Sequence, residues 1–194
     1  HAAASREVVA GYSLLYRIDG TDERLEPALF MGHIDVVPVD EATASDWQHD
    51  PFSGDISDGV IWGRGAMDDK VTVMALMEAL ERLLADGGRP ARTVYLAFGH
   101  DEEVGGKDGA AAIAALLSGR GVEFEFVLDE GGAITDGFFP GVDRPVAIIG
   151  IAEKGYMNLH LTVNAAGGHS SQPPRHTAAG ILAQAIVKVE ANPF

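Results

Sequence analysis

The feature that most constrains the fold is the alternation of short apolar runs with alanine- and leucine-rich segments in the first 130 residues. Runs of β-branched and aromatic residues predict strands at 12–18, 28–31, 93–98 and 124–128, the last three as short buried strands. Residues 71–85 and 110–117 have helical spacing, and glycines follow each of them. Strands and helices in this order predict an α/β domain with a mixed, largely parallel sheet flanked by helices.

Two further segments of this first part carry expectations. Residues 34–65 contain many turn formers without clear periodicity, and loops of that length in a domain are usually functional or disordered. The first helix is expected to bury its apolar positions in the core, namely Val71, Met74, Met77, Leu80 and Leu84.

The pattern changes after Gly141. Residues 146–151 and 156–163 resemble two strands joined across residues 153–155, and a turn-rich stretch at 167–174 precedes a predicted helix at 177–189. One strand pair and one helix cannot cover their own apolar faces. We therefore expect residues 1–150 to belong to one α/β domain and residues 151–194 to begin a second, smaller α+β domain that is cut short.

Composition excludes several classes of function. The chain has 14 Lys+Arg against 29 Asp+Glu, a formal charge of −15, which argues against nucleic acid as a partner. It has no apolar run of about 18 residues that would span a membrane. Without cysteine, a metal must be held by His, Asp and Glu. The first residue is His1, so a leader could have been removed; the compartment stays open, with a soluble cytoplasmic protein favoured over a secreted one.

Acidic and histidine side chains occur where predicted strands end. Four stretches, GHID at 32–35, GAMDDK at 65–70, HDEE at 100–103 and LDEGG at 128–132, would bring together His33, Asp68, Glu102, Glu103 and Asp129. The carboxyl ends of parallel strands share one edge of a sheet, where ligands bind. Carboxylates so close would repel one another unless a cation lay among them, and Zn²⁺ accepts both imidazole nitrogen and carboxylate oxygen.

Each stretch also has a purely structural explanation. A His-x-Asp sequence is more often a capped turn than a metal site, and Asp68 is well placed to cap the following helix. The pair Glu102-Glu103 would suit a solvated loop, and Asp129 with Glu130 would suit a plain exit from a strand. The joint occurrence of all four favours a metal site, but spacing alone leaves these alternatives open.

The motifs themselves are similar to those of a known family. They are MGHIDVVPV at 31–39, Trp47, PFSG at 51–54, Asp58-Gly59, IWGRGAMDDK at 61–70, HDEEVGG at 100–106, DEGG at 129–132 and GGHSS at 167–171. In this order they resemble the zinc metallopeptidase family of aminoacylase, succinyl-diaminopimelate desuccinylase, glutamate carboxypeptidase and carboxypeptidase S. The motif sequences are most similar to those of the branch that contains carboxypeptidase S and the N-fatty-acyl-amino-acid hydrolases. The resemblance extends from about residue 28 to residue 194.

The resemblance implies a set of metal ligands and a general base. His33 and Asp129 would hold a first zinc, Glu103 a second, and Asp68 would bridge the two, with Co or Mn as other possible metals. Asp35 would orient His33, and Glu102 would be the general base. A cis peptide bond is implied between Asp68 and Asp69.

The resemblance also implies a substrate and a dimer. The substrate would have an amide bond next to a free carboxylate, as in a short peptide or an N-acyl amino acid. His169, in the small domain, would reach into the active site of a partner subunit and help to bind the oxyanion, so a homodimer formed through the small domain is expected.

The resemblance leaves part of the site unaccounted for. Members of the family are longer, and the part after the small domain supplies the last histidine of the second zinc; His49, His160 and His176 stand in no matching motif. The sequence therefore resembles a fragment. The alternatives are a non-catalytic fragment that binds one metal and a partner subunit, and an acidic domain whose carboxylates only solvate its surface.

Overall fold

The computed structural model describes residues 4–152 and 154–193. The chain divides into two units, His1–Ile148 and Ile149–Phe194, which are described separately. In the first unit the elements are, in chain order, β1 (Ala4–Val9), β2 (Ser13–Ile18), β3 (Ala28–His33), β4 (Ile56–Ser57), β5 (Val60–Ile61), α1 (Lys70–Ala85), β6 (Val94–Gly99), α2 (Ala110–Gly119), β7 (Phe126–Leu128), β8 (Ile134–Thr135) and β9 (Val146–Ala147). The second unit contains α3 (Ala178–Ala191).

A five-stranded sheet in the order β1-β2-β6-β3-β7 forms the centre of the first unit. β3 is parallel to β6 and to β7, whereas β2 is antiparallel to both of its neighbours. Four of the five strands thus run in one direction, which confirms the predicted mixed, largely parallel α/β sheet. As a consequence, β3, β6 and β7 all end at the same edge of the sheet, and their following residues start there.

Helices cover both faces of this sheet. The side chains of β6 alternate between the two faces and pack against a different helix on each. Tyr95 and Ala97 lie in a core cluster with Ile113 and Leu117 of α2. Leu96 and Phe98 lie in a second cluster on the opposite face, against α1 residues that include Val73, Leu76, Met77 and Leu80. Continuous apolar strands such as this are typical of sheets that are buried on both faces.

The predicted core face of α1 is partly wrong. Met77 and Leu80 pack against the sheet and Leu84 is buried, as expected. Val71 and Met74 are exposed instead, and they line a surface cavity of about 450 Å³ together with Phe52 and Ile61. The reason is that Val73, Leu76 and Leu80 form the stripe that faces the sheet, which turns Val71 and Met74 towards the long loop.

That long loop, residues 34–65, has some regular structure of its own. A 3₁₀ helix at Ala44–Asp46 is followed by the antiparallel pair β4-β5. The loop returns to α1 through residues 62–69, so the segment before α1 does not leave a strand of the central sheet. The stretch with Asp68 was expected at a strand exit, and this expectation is wrong.

Three expectations about strands need correction. β7 is shorter than predicted and its side chains are exposed, since no strand covers it beyond β3 among the described residues. Only Val146–Ala147 of the segment 146–151 is a strand, and it pairs with β8 rather than with residues 156–163. Residues 156–163 form no strand. Their apolar side chains, such as the 87% exposed Tyr156, have no neighbouring sheet to cover them.

In the second unit, the helix predicted at 177–189 is confirmed as α3. Thr177 caps its amino end by accepting a hydrogen bond from the Gly180 backbone at 3.1 Å. The predicted connection at residues 153–155 includes Glu153, which lies outside the described residues. Within the described ranges, no helix has both the length and the apolar character needed to cross a bilayer.

Candidate metal centre

His33 is the centre of the candidate site, and the end of β3 fixes it. The residue is only 2% exposed, and its backbone N–H donates to the carboxylate of Asp69 at 3.1 Å. Its Nδ1 lies 3.1 Å from the backbone oxygen of Asp35, and its Nε2 lies 2.9 Å from Asp68 Oδ1. The imidazole is therefore held on one side by the Asp35 backbone, while Nε2 faces a cluster of carboxylates.

Asp35 also holds the segment that contains Glu102 and Glu103. These two glutamates begin a 3₁₀ helix, Glu102–Val104, which is separated from the end of β6 by two residues. The two carboxylate oxygens of Asp35 accept hydrogen bonds from the backbone N–H of Glu102 at 3.2 Å and of Glu103 at 3.1 Å. Asp35 Oδ1 also lies 3.3 Å from His33 Nδ1. One side chain thus connects the ends of β3 and β6.

Three of the predicted residues form a possible metal-ligating group. His33, Glu102 and Glu103 each offer a ligand atom, and these atoms lie within 4.8 Å of one another. Bonds of about 2.0–2.2 Å to a zinc ion place donors within about 4.4 Å of each other, so little movement is needed. An imidazole nitrogen together with carboxylate oxygens is a donor set that suits zinc, and the residues present therefore fit this metal.

Asp68 approaches the same place from another element. It immediately precedes Asp69, the residue at the amino end of α1, and the peptide bond between them is cis, as the resemblance implied. Its side chain is 70% exposed and contacts His33 Nε2. Asp68 itself does not cap α1; the capping position belongs to Asp69, whose carboxylate binds the His33 backbone instead.

Asp129 lies outside the group formed by His33, Glu102 and Glu103. It follows β7 at the same sheet edge, but its Oδ1 accepts a hydrogen bond from the backbone N–H of Glu130 at 2.9 Å. The neighbouring Glu130 carboxyl interacts with the charges of Asp68, Asp69 and His33. Burial raises the pKa of Glu130, and the charges of Asp69, Asp129 and Asp68 raise it further. The sequence did not single out Glu130.

Neighbouring charged side chains shift the pKa values of Glu102 and His33. Burial raises the pKa of Glu102, and Glu103, Asp35 and Asp68 raise it further, although His33 opposes them. Burial would lower the pKa of His33, but the hydrogen bond to Asp68 and the charges of Asp35 and Glu102 outweigh it and raise the pKa. Both shifts reduce the negative charge of the cluster. A bound cation would serve the same purpose.

Asp69 is a supporting residue that the sequence did not single out. It is 2% exposed, and a Cβ on Gly32 would lie 2.6 Å from its Oδ2. Glycine at position 32 therefore lets the Asp69 carboxylate approach β3 and fix the backbone of His33. The only signal in the sequence was the position of Asp69 directly after Asp68 in the motif.

His169 lies in the second unit, within a local turn. Its Nδ1 lies 2.8 Å from Ser171 Oγ and accepts a hydrogen bond from the backbone N–H of Ser171 at 3.2 Å. Its backbone oxygen accepts from Gln172. The turn orients the ring, and the expected role in the site of a partner subunit stays a prediction.

An α/β sheet with a histidine and several carboxylates at its carboxyl edge defines a metallopeptidase-type domain. Residues 29–192 match the model of peptidase family M20/M25/M40, and the chain belongs to this family. It is 49% identical over its whole length to "Probable carboxypeptidase S-like 2" of Dictyostelium discoideum. It is also 50% identical over 188 residues, 97% of the chain, to "N-fatty-acyl-amino acid synthase/hydrolase PM20D1" of Homo sapiens. The chain spans 37% of the length of each of these two relatives.

Solved structures show the same fold. The M20 family metallo-carboxypeptidase Sso-CP2 from Sulfolobus solfataricus superimposes with a TM-score of 0.55 at 28% identity, over 69% of this chain and 29% of that protein. Human carnosine dipeptidase 1 superimposes with a TM-score of 0.52 at 23% identity, over 66% of this chain and 29% of the dipeptidase chain.

Proposed function

We propose that the protein is a zinc-dependent hydrolase that cleaves an amide or peptide bond next to a free carboxylate, as in a short peptide or an N-acyl amino acid. The observation that carries this proposal is the position of Glu102. Its carboxylate is 52% exposed and lies 3.8 Å from His33 Nε2, within the group of possible metal ligands. The names of the two relatives, "Probable carboxypeptidase S-like 2" and "N-fatty-acyl-amino acid synthase/hydrolase PM20D1", support the substrate class.

His33, Asp68, Glu103 and Asp129 are the proposed ligands, with two zinc ions in a complete active site. Zinc, when bound, supplies Lewis-acid activation of water and of the substrate carbonyl. The buried His33 offers Nε2 in a fixed direction because Asp35 holds the other side of the ring. Asp35 acts on both sides of the site, since it also fixes the backbone before Glu102 and Glu103.

Glu102 is the proposed general base. A base works best when its pKa lies near the working pH, and burial together with neighbouring carboxylates raises the pKa of Glu102 in that direction. The carboxylate would take a proton from the attacking water and then give it to the leaving amine nitrogen. Its partial exposure leaves it accessible to substrate.

We further propose that His169 completes the site in a homodimer formed through the second unit. The support is the GGHSS motif and the turn in which Ser171 holds Nδ1, which leaves Nε2 free to donate to a developing oxyanion.

A second candidate is a non-catalytic module that binds one metal and a partner subunit. The observation that favours it is that the described residues form a single group of possible ligands, with only one histidine. This candidate shares the metal site with the first and differs from it in turnover.

Zinc content and turnover together separate the two candidates. We would measure zinc per chain after dialysis, and hydrolysis of an N-acyl amino acid and a dipeptide, for the parent, His33→Ala and Glu102→Gln. Glu81→Gln, on an exposed part of α1, is the matched control.

The enzyme proposal expects zinc in the parent and its loss in His33→Ala. In Glu102→Gln it expects retained zinc with turnover reduced by about 10²-fold or more, the usual scale for a general base. Bound zinc without hydrolysis in the parent would favour the metal-binding module. No zinc in any variant would contradict both.

A further inference from the structure

A buried serine and a histidine form a pair beside the candidate site. Ser13, the first residue of β2, has no exposed surface, and its Oγ lies 2.7 Å from Nδ1 of His100. His100 directly follows the last residue of β6, two positions before Glu102. The hydrogen bond therefore joins β2 to the start of the segment that contains the proposed general base.

The burial of Ser13 excludes a role as a nucleophile, because a substrate cannot reach its hydroxyl. The His100 ring makes a second contact with the β1-β2 hairpin: the rings of Tyr12 and His100 lie 5.3 Å apart at an angle of 52°. The hairpin thus holds His100 by one hydrogen bond and one aromatic contact, and both fix the orientation of the imidazole.

The segment after His100 is fixed at two further points. Asp101 accepts a hydrogen bond from the backbone N–H of Asp108 at 2.7 Å, which ties it to the start of α2. Asp35 accepts the N–H groups of Glu102 and Glu103. Residues 100–103 are therefore held in three directions, and the Ser13–His100 pair is the attachment nearest to the end of β6.

We propose that Ser13 and His100 are a positioning pair, which holds Glu102 and Glu103 in place against His33. The proposal rests on the proposed function for the role of Glu102, but it concerns geometry. Loss of the pair removes the attachment nearest to the end of β6 and leaves those through Asp35 and Asp101 in place. The glutamate carboxylates then spend less time at the positions that metal binding and proton transfer require.

Two substitutions remove the hydrogen bond in different ways. Ser13→Ala removes the hydroxyl, and His100→Phe keeps a ring beside Tyr12 but has no Nδ1. In both we expect zinc affinity and kcat to fall by about tenfold to hundredfold, the usual effect of losing a residue that orients metal ligands. We expect KM to stay within about twofold. Backbone amides of residues 102–106 should exchange hydrogen faster, whereas those of β6 should not.

Two further variants test the hydrogen bond itself. His100→Asn places an amide atom near the position of Nδ1, so it should retain most of the parent affinity and kcat. The double variant Ser13→Ala/His100→Phe should lose no more than either single variant, because both remove the same interaction. If Ser13→Ala does not fold, Ser13→Thr, which keeps the hydroxyl, and His100→Phe give the same comparison.

Thr93→Val is the matched control. It removes the hydrogen bond between Thr93 Oγ1 and the Gly20 backbone, which lies at the opposite end of β6. This variant should lose stability without losing zinc affinity or kcat. The proposal is overturned if Ser13→Ala and His100→Phe behave like Thr93→Val, or if their losses multiply in the double variant. Zinc affinity and hydrogen exchange need no turnover, so a parent without hydrolysis would defeat the proposed function and still decide this proposal.

Discussion

The raised pKa of Glu102 suits a general base but lowers the stability of the fold when the side chain is charged. Burial raises its pKa above the ordinary value of 4.5, so the folded chain favours its protonated form. A group of this kind costs no stability at a pH below its ordinary pKa, and it destabilises the fold progressively as the pH rises from the ordinary pKa to the raised pKa, above which the cost is constant. The metal-free protein should therefore tolerate Glu102 best in mild acid.

This predicts a pH-dependent difference between the metal-free parent and Glu102→Gln. The variant should become more stable relative to the parent as the pH rises from below 4.5, because Gln carries no charge, and the difference should level off above the raised pKa of Glu102. Denaturant unfolding in a chelating buffer measures the difference. Glu81→Gln is the matched control, and a constant difference between the parent and Glu102→Gln across the range would contradict the prediction.

The two acidic residues after β7, Asp129 and Glu130, are alternative candidates for one zinc ligand. The family resemblance implies that Asp129 is a ligand of the first zinc. The charges of Asp68 and Asp69, however, act on the carboxyl of Glu130, which makes Glu130 the other candidate. Asp129 Oδ1 is already engaged with the backbone of Glu130.

Zinc titration of Asp129→Asn and Glu130→Gln separates these assignments. If Asp129 is the ligand, Asp129→Asn should weaken zinc binding by about tenfold or more, while Glu130→Gln changes it little. A large loss in Glu130→Gln alone would move the assignment to Glu130. Asp46→Asn, in the exposed 3₁₀ helix at Ala44–Asp46, is the control.

At the scale of elements, α2 and the residue before it contact residues 100–106. Gly109 precedes the helix, and a Cβ there would collide with Asp101 Oδ1 and lie 3.1 Å from the His100 backbone nitrogen. Gly119, at the other end of the same helix, has no atom within 4 Å of such a Cβ.

The two glycines therefore predict opposite effects of alanine. Gly109→Ala should destabilise the fold by about 1–3 kcal/mol through overpacking, and it should also weaken zinc binding, because residues 100–103 must move. Gly119→Ala should stabilise by up to about 1 kcal/mol, since alanine favours the helix. Thermal unfolding and zinc titration measure both; equal effects would show that the close approach at Gly109 does not matter.

The elements that the sequence predicted well are those with a periodic pattern of their own. β3, β6, α1 and α2 have dense apolar runs or helical spacing, and their bounds agree with the structure to within about two residues. β1 was not predicted, because its sequence ASREVV alternates weakly and pairs only with β2. The strand predicted at 156–163 is absent, since strand propensity without a neighbouring strand does not form a sheet.

The same distinction applies to the candidate site. His33 ends β3, and Asp35 and Glu102 lie shortly after β3 and β6, so the shared edge of the sheet was enough to predict that these segments meet. The roles of Asp69 and Ser13 depend on contacts between segments that are far apart in the sequence, 36 residues in one case and 87 in the other. No local pattern indicates such contacts.

At the scale of the whole molecule, charge and exposed apolar surface have opposing effects. The chain has a formal charge of −15, and repulsion between copies should keep them apart at low salt. Among the described residues of the first unit no strand pairs with β7 on the side away from β3, and β7 exposes Phe126, Val127 and Leu128 by 44%, 53% and 53%. Edges of this kind favour pairing between chains.

Association through β7 should therefore increase with ionic strength. Salt shortens the range of charge repulsion to about 8 Å at 0.15 M and about 3 Å at 1 M. The free energy gained by burying apolar surface between chains is not reduced by salt. Sedimentation velocity between 20 mM and 1 M NaCl should show a larger associated fraction at high salt.

Val127→Lys should remove this salt-dependent part of the association, because it places a charge on the edge strand. Val8→Lys, at the opposite edge in β1 and 51% exposed in the parent, should not. An associated fraction that falls with salt, or that both lysine variants remove equally, would show that β7 is not the surface through which copies of the chain associate.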